Sequence, residues 1–182
     1  MTEEIKTALQ FLSQPEKKEF FPRFFKSGPG EYAEGDEFIG VTVPDQRKIA
    51  KAYFQKIYLK ELSVLLSSKI HEHRHCALLM LVSKYEKSKS EEEKQEIVDF
   101  YLQHLEYINN WDLIDTSAEH IVGAYVSERD RNILHDLVRS GSLWERRISI
   151  MATFHFIKKG DFATTLKLAE LLLHDREDLI HK

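Results

Sequence analysis

Trp111 and Asp115 pair an indole with a carboxylate at i and i+4, inside the stretch Ile108-Asn109-Asn110-Trp111-Asp112-Leu113-Ile114-Asp115-Thr116-Ser117. On a helix that spacing places both side chains on one face, one turn apart. Asn109 or Asn110 is a good N-cap, which sets the indole at the helix start. If that face lines a cleft, it offers a flat apolar wall beside an anion. Such a site suits a ring-shaped substrate that carries or develops positive charge, because a cation over an indole gains about 0.5–2 kcal/mol. The simpler reading is a core Trp with a solvent-facing Asp.

Other chemistry-bearing residues are weaker signals. His71-Glu72-His73-Arg74-His75 satisfies H-E-x-x-H, which could place zinc on His71 and His75 with Glu72 as general base. No third ligand follows at a familiar spacing, and a polar helix start rich in His explains the pattern as well. The zinc reading is the weaker of the two, and a zinc hydrolase on His71 and His75 stays an alternative at this point. Cys76 reads as a small core residue. There is no G-x-x-x-x-G-K-[ST] and no G-x-G-x-x-G before a helix. Arg23, Lys26, Arg47, Lys48, Lys51, Arg146 and Arg147 could edge an anion-binding groove or simply be solvated surface.

The elements that must position these residues are helical. The chain has 182 residues, 4 Pro and 7 Gly, with abundant Leu, Glu, Lys and Ile. That is enough for one sizeable domain, residues 1–182, and it favours helix over sheet. A single Cys precludes an internal disulfide framework and fits a reducing, cytoplasmic setting. No apolar run approaches the roughly 18–20 residues a membrane span needs. The net charge of −4 counts against nucleic-acid binding by bulk charge, though not against a local basic groove.

Apolar periodicity predicts helices over 3–13, from Pro15 through the Phe20, Phe21, Phe24, Phe25 run, and over 45–57, 59–67, 70–85, 91–108, 111–126, 129–139, 143–159 and 162–173. Four Phe so close together are expected in the core, and Pro22 among them predicts a kink or break. Ser27–Gly40 is the only long irregular segment and holds four of the seven glycines. A loop of that length in a helical domain is often functional. From Pro44 onward the helices fall into pairs of roughly 32–41 residues, the size of helical repeat units.

Glu72-His73-Arg74 and Glu145-Arg146-Arg147 open two first-of-pair helices. Aligning them sets Arg74, Asp115 and Arg147 at equivalent places on successive inner helices. Stacked pairs line a concave face with their inner helices. Two guanidiniums would then flank Asp115, favour its charged form and offer forks suited to phosphate. The final Asp175–Lys182 stretch begins a helical pattern that has no stop signal, so the domain is expected to continue past Lys182.

Three stretches together resemble the AlkD family of DNA alkylation repair proteins, which are alkylpurine DNA glycosylases. They are Arg23-Phe24-Phe25-Lys26-Ser27-Gly28-Pro29-Gly30-Glu31-Tyr32 with Gly40-Val41-Thr42-Val43-Pro44-Asp45, then Asn110-Trp111-Asp112-Leu113-Ile114-Asp115, then Leu143-Trp144-Glu145-Arg146-Arg147. The resemblance implies an all-α superhelical solenoid, right-handed in type, of HEAT-like antiparallel helix pairs that grips duplex DNA in its concave face. It implies hydrolysis of the N-glycosidic bond of N3- or N7-alkylated purines without metal or cofactor, by a monomer. Asp115 falls on the family's catalytic carboxylate, Trp111 on an active-site aromatic and Arg147 on the Arg beside it. Arg146, Arg74, Arg47 and Lys48 are the further candidates for DNA contact. The family's second active-site Trp falls just past Lys182. The alternatives are a non-catalytic binder of distorted DNA on the same fold, and a helical-repeat scaffold for proteins.

Overall fold

The computed structural model describes residues 1–182 and is all-α. The helices are α1 (Thr2–Phe11), α2 (Pro15–Phe24), α3 (Val43–Tyr53), α4 (Leu59–Leu66), α5 (His71–Lys87), α6 (Glu91–Gln103), α7 (Trp111–Ser117), α8 (Ala124–Val126), α9 (Asn132–Leu137), α10 (Leu143–Ala152), α11 (Phe154–Ile157), α12 (Ala163–Leu172) and α13 (Asp178–His181). A 3₁₀ turn at Leu105–Tyr107 precedes α7, and a π segment at Glu119–Gly123 joins α7 to α8. There is no strand, only one parallel bridge between Glu37 and Ile70.

Two layers of helices organise the chain. In the inner row α3, α5, α7, α10 and α13 pack in succession. Behind them α1 and α4 back α3 and α5, α6 backs α5 and α8, and α9 and α12 back α10. The apolar stripes meet in one continuous core that runs from Ile5 and Leu9 through Leu78, Leu81, Tyr101, Ile114 and Val122 to Ile148, Phe156 and Leu172. Removing this apolar surface from water is the dominant stabilising contribution.

Most of the predicted helices form, with ends that shift by a few residues: α3 starts two residues early at Val43, and α5 runs on to Lys87. The 143–159 pattern divides at Thr153, whose hydroxyl donates to the Ile150 carbonyl at 2.7 Å. The 111–126 helix is continuous in space but widens into the π turn. There Gly123 lies against α10 so closely that a Cβ would sit 2.2 Å from the Ala152 carbonyl oxygen. Pro22 does not break α2 midway; it lies in the last turn, and the helix stops at Phe24.

The Phe run is not a core block. Phe25 is buried and Phe21 half-buried, but Phe20 and Phe24 are 51% and 47% exposed. The residues at i and i+1 of each pair point to different sides of one helix, so the core takes only one member of each.

The Ser27–Gly40 loop folds on itself and is pinned to the start of α5. Glu31 accepts from the Gly28 amide at 2.8 Å, and Glu34 from that of Gly30 at 3.0 Å. Gly40 has φ +80°, and a Cβ there would meet the Gln14 carbonyl oxygen at 2.4 Å. This is a place where only glycine fits.

Candidate functional site

Asn110, fully buried, caps α7, with its side-chain oxygen accepting from the Trp111 amide at 2.8 Å. Leu113, Ile114 and Ser117 bury the opposite face of the helix. Trp111 and Asp115 are therefore turned together toward the open side, both half-buried. Phe25 stacks on the indole at 5.6 Å between centroids, and Phe24 meets it edge-on at 5.8 Å.

Arg147 on α10 reaches Asp115 with two parallel bonds, Nε to Oδ1 at 3.0 Å and Nη2 to Oδ2 at 2.8 Å. Its Nη1 donates to the Leu179 carbonyl of α13. The Arg147 side chain is 8% exposed and that of Asp115 32%. The carboxylate thus sits at the surface, held in one orientation by a largely buried guanidinium. Such bidentate pairs are among the stronger charge-assisted hydrogen bonds.

A cleft of about 670 Å³ opens beside this pair between α3, α5 and α7. Phe24, Trp111 and Asp115 form one side, and Arg47, Lys51 and Glu86 another. Arg47 and Lys51 are exposed. The cleft joins an aromatic wall, a fixed carboxylate and two cations, a combination able to hold a flat cationic ring next to a phosphate backbone.

The predicted cations divide. Lys48 is exposed but bonded to Asp45 at 2.8 Å. Arg146 donates its Nε and Nη2 to Asp175 at 2.6 and 3.2 Å, and its Nη1 to the Ser140 and Gly141 carbonyls, so it ties α10 to the segment before α13. Arg74 corrects the repeat alignment. It is 3% exposed and bonds Asp36 at 2.5 Å and the Ser68 carbonyl at 3.0 Å. Its partner carboxylate belongs to the 27–40 loop, not to α7, so one guanidinium holds Asp115 rather than two. The Arg147 fork is likewise filled by Asp115 and is not free for phosphate.

The H-E-x-x-H stretch is wholly buried, and the three side chains a zinc site would use, His71, Glu72 and His75, are all engaged. The Glu72 carboxylate accepts from the amides of Ile39, Gly40 and Val41, at 2.7 Å from Gly40. His71 Nε2 bonds Asp112 at 2.8 Å and Nδ1 bonds Asp36 at 3.3 Å. His75 Nδ1 bonds Gln46 Oε1 at 2.7 Å and Nε2 bonds Thr116 Oγ1 at 3.1 Å. The zinc reading fails on this geometry, since every nitrogen and oxygen it needs is taken by protein.

Burial is the main pull on these histidines and pushes His73 and His75 down to about 4. His71 is the exception. Burial lowers it too, but Asp112 and then Asp36 outweigh that and raise it to about 9. Burial pushes the Asp112 carboxyl up, and His71 more than reverses this, leaving it below the usual carboxylate value.

Two contributors escaped sequence reading. Phe24, expected in the core, lines the cleft instead, since four Phe at i, i+1, i+4 and i+5 exceed one helix face. Tyr32, from the glycine-rich loop, meets Trp144 edge-on at 5.6 Å and lies near Trp111 and Arg147. Nothing in the spacing brings residue 32 to residue 144.

Over residues 5–182 the sequence matches the family described as DNA alkylation repair enzymes, and the chain belongs to that family. The solved structure of a predicted DNA alkylation repair enzyme from Enterococcus faecalis is similar, with TM-score 0.69 and 16% identity, over 94% of this chain and 79% of that one. At that identity the likeness concerns the fold. Among curated proteins none matches. The family places the chain in the repair of alkylated DNA. No helix is long and apolar enough to cross a membrane.

Proposed function

We propose that the protein is a DNA glycosylase that hydrolyses the N-glycosidic bond of N3- or N7-alkylated purines in duplex DNA, acting as a monomer in the cytoplasm. The observation that carries this is Asp115, an accessible carboxylate locked by Arg147 at the edge of an aromatic-walled cleft that also presents Arg47 and Lys51.

An alkylated purine is already cationic and leaves readily, so strong acid catalysis is not needed. As the C1′–N bond breaks, its electron pair neutralises the departing base and positive charge moves onto the deoxyribose. A fixed carboxylate stabilises that charge and orients the water that adds to C1′; the water's surplus proton passes to solvent. Trp111, backed by Phe25 and flanked by Phe24, packs against the cationic nucleotide. Arg147 acts as a positioning residue for Asp115. Arg47 and Lys51 meet the DNA backbone, with Lys48 contributing once it exchanges Asp45 for a phosphate.

The test is release of free base from duplex DNA carrying 7-methylguanine or 3-methyladenine, compared with Asp115→Asn. Release by the native chain, reduced by about 10²-fold or more in the variant while DNA affinity stays within about threefold, supports the enzyme. Salt-dependent DNA binding without release overturns it and leaves a non-catalytic binder, a reading to which the double engagement of Asp115 by Arg147 lends weight.

A further inference from the structure

Residues 71–75 are all buried at the start of α5, and all five carry polar partners outside that helix. The zinc chemistry that their order suggests does not account for them. Their partners do: Glu72 and Arg74 bind the 36–41 segment of the glycine-rich loop, His75 binds α3 and α7, and His71 binds both the loop and α7.

We propose that His71 is a positioning residue: as an imidazolium between Asp36 and Asp112 it locks the 27–40 loop to α7 and so holds Trp111 in place at the cleft. The catalytic half of this rests on the glycosylase reading; the lock itself does not.

The protonation state follows from the bonding. Both ring nitrogens face carboxylate oxygens, at 2.8 Å for Asp112 and 3.3 Å for Asp36. An ionised carboxylate only accepts, and neutral imidazole has one N–H, so only the cation satisfies both contacts. The charges balance locally. Asp36 from the loop and Asp112 from α7 face His71 and Arg74 from α5, and His75, one turn further along α5, is held neutral by burial. A balanced quartet of this kind tolerates burial, and removal of one member leaves an uncompensated charge. The raised proton affinity of His71 agrees with the bonding.

The lock reaches the cleft by contact. Phe25 lies tilted against the His71 ring at 4.6 Å and stacks on Trp111 at 5.6 Å, and Phe38 stacks on His71 at 5.1 Å. Asp112, bonded by His71, follows Trp111 directly in sequence. Loss of one His71 proton would leave one of the two buried carboxylates facing a ring lone pair, and would loosen the link between the loop and the first turn of α7.

The experiment uses the full chain and His71→Gln. In ¹⁵N-imidazole spectra at pH 7.5, one histidine is expected with both nitrogens protonated, and that signal is absent from the variant. Cleavage within 27–40 by a protease, normalised to an unstructured substrate, is expected to be about tenfold faster at pH 10 than at pH 7.5 in the native chain, and fast at both in the variant. Single-turnover base release is expected to fall about ten- to a hundredfold in His71→Gln, with DNA affinity within about threefold.

A neutral His71 at pH 7.5 overturns the proposal, as does a variant with native loop protection. If His71→Gln does not fold, the native chain decides: unchanged cleavage from pH 7.5 to 10 overturns the lock. A native chain that releases no base sinks the glycosylase reading, while the spectra and the cleavage still decide the lock.

Discussion

Arg147 and Asp115, from α10 and α7, face each other through two parallel hydrogen bonds, and the third donor of the same guanidinium ends on the Leu179 carbonyl of α13. One side chain thereby fixes the orientation of the carboxylate and joins three helices of the inner row.

Arg147→Lys should separate these tasks. A single ammonium cannot make the two parallel bonds or reach three acceptors in one plane. We expect base release to fall about tenfold, and stability by about 1–3 kcal/mol, a range lowered because Asp115 is partly solvated. Urea denaturation beside single-turnover kinetics checks both numbers. An unchanged rate in a destabilised variant would mean that Arg147 serves the helices alone.

Phe24→Ala should act on binding. The ring is 47% exposed and meets Trp111 edge-on, so its removal opens no core cavity. We expect a loss of stability under about 1 kcal/mol, since exposed positions rarely cost more. Affinity for DNA carrying a cationic base should weaken several-fold, and affinity for undamaged DNA should hold. Equal weakening on both DNAs would assign Phe24 to general DNA contact.

Gly40→Ala should destabilise by about 2–4 kcal/mol. The residue has φ +80°, and its missing Cβ would lie 2.4 Å from the Gln14 carbonyl oxygen and 2.6 Å from the Lys18 nitrogen, both backbone atoms that cannot swing aside. Thermal unfolding of Gly40→Ala beside Gly141→Ala, where nothing lies near a new Cβ, isolates the effect.

Stability should peak near pH 6.5. His73 and His75 are depressed to about 4, so below pH 6.5 the unfolded chain binds protons that the folded chain refuses, and stability falls as pH drops from 6.5 toward 4. The lowered Asp112 adds to that loss only below its unfolded value near 3.8. His71 is raised to about 9, so its contribution is complete below pH 6.5 and is lost as pH climbs from 6.5 through 9. Denaturant midpoints from pH 4 to 10 should trace this dome, and His71→Gln should flatten its alkaline side. An alkaline limb unchanged in that variant would contradict the assignment.

The Trp111–Asp115 face, the inner-row placement of Arg147 and most helix spans could be read directly from spacing, because helix periodicity is a local property. Long-range partners could not. Arg74 matches Arg147 in the repeat pattern, yet the 27–40 loop brings Asp36 to it before α7 can compete. Arg146 has the spacing of a groove cation, but Asp175, 29 positions away, closes on it. The H-E-x-x-H order points to a metal because the groups that Glu72 does bind, the donating amides at 39–41, carry no side-chain signature. Phe24 leaves the core for a local reason, because one helix face cannot bury both members of each Phe pair.

The bonds between 36–41 and 71–74 make two distant segments a single exchangeable part. Transplanting the glycine-rich loop into a related solenoid would fail if it travelled alone. Asp36 would arrive without its cations and three amides without their carboxylate. The host would lose whatever its own helix start had been holding. Carried together with His71–Arg74, the same loop brings its own foundation, so the minimal graft is two pieces of chain rather than one.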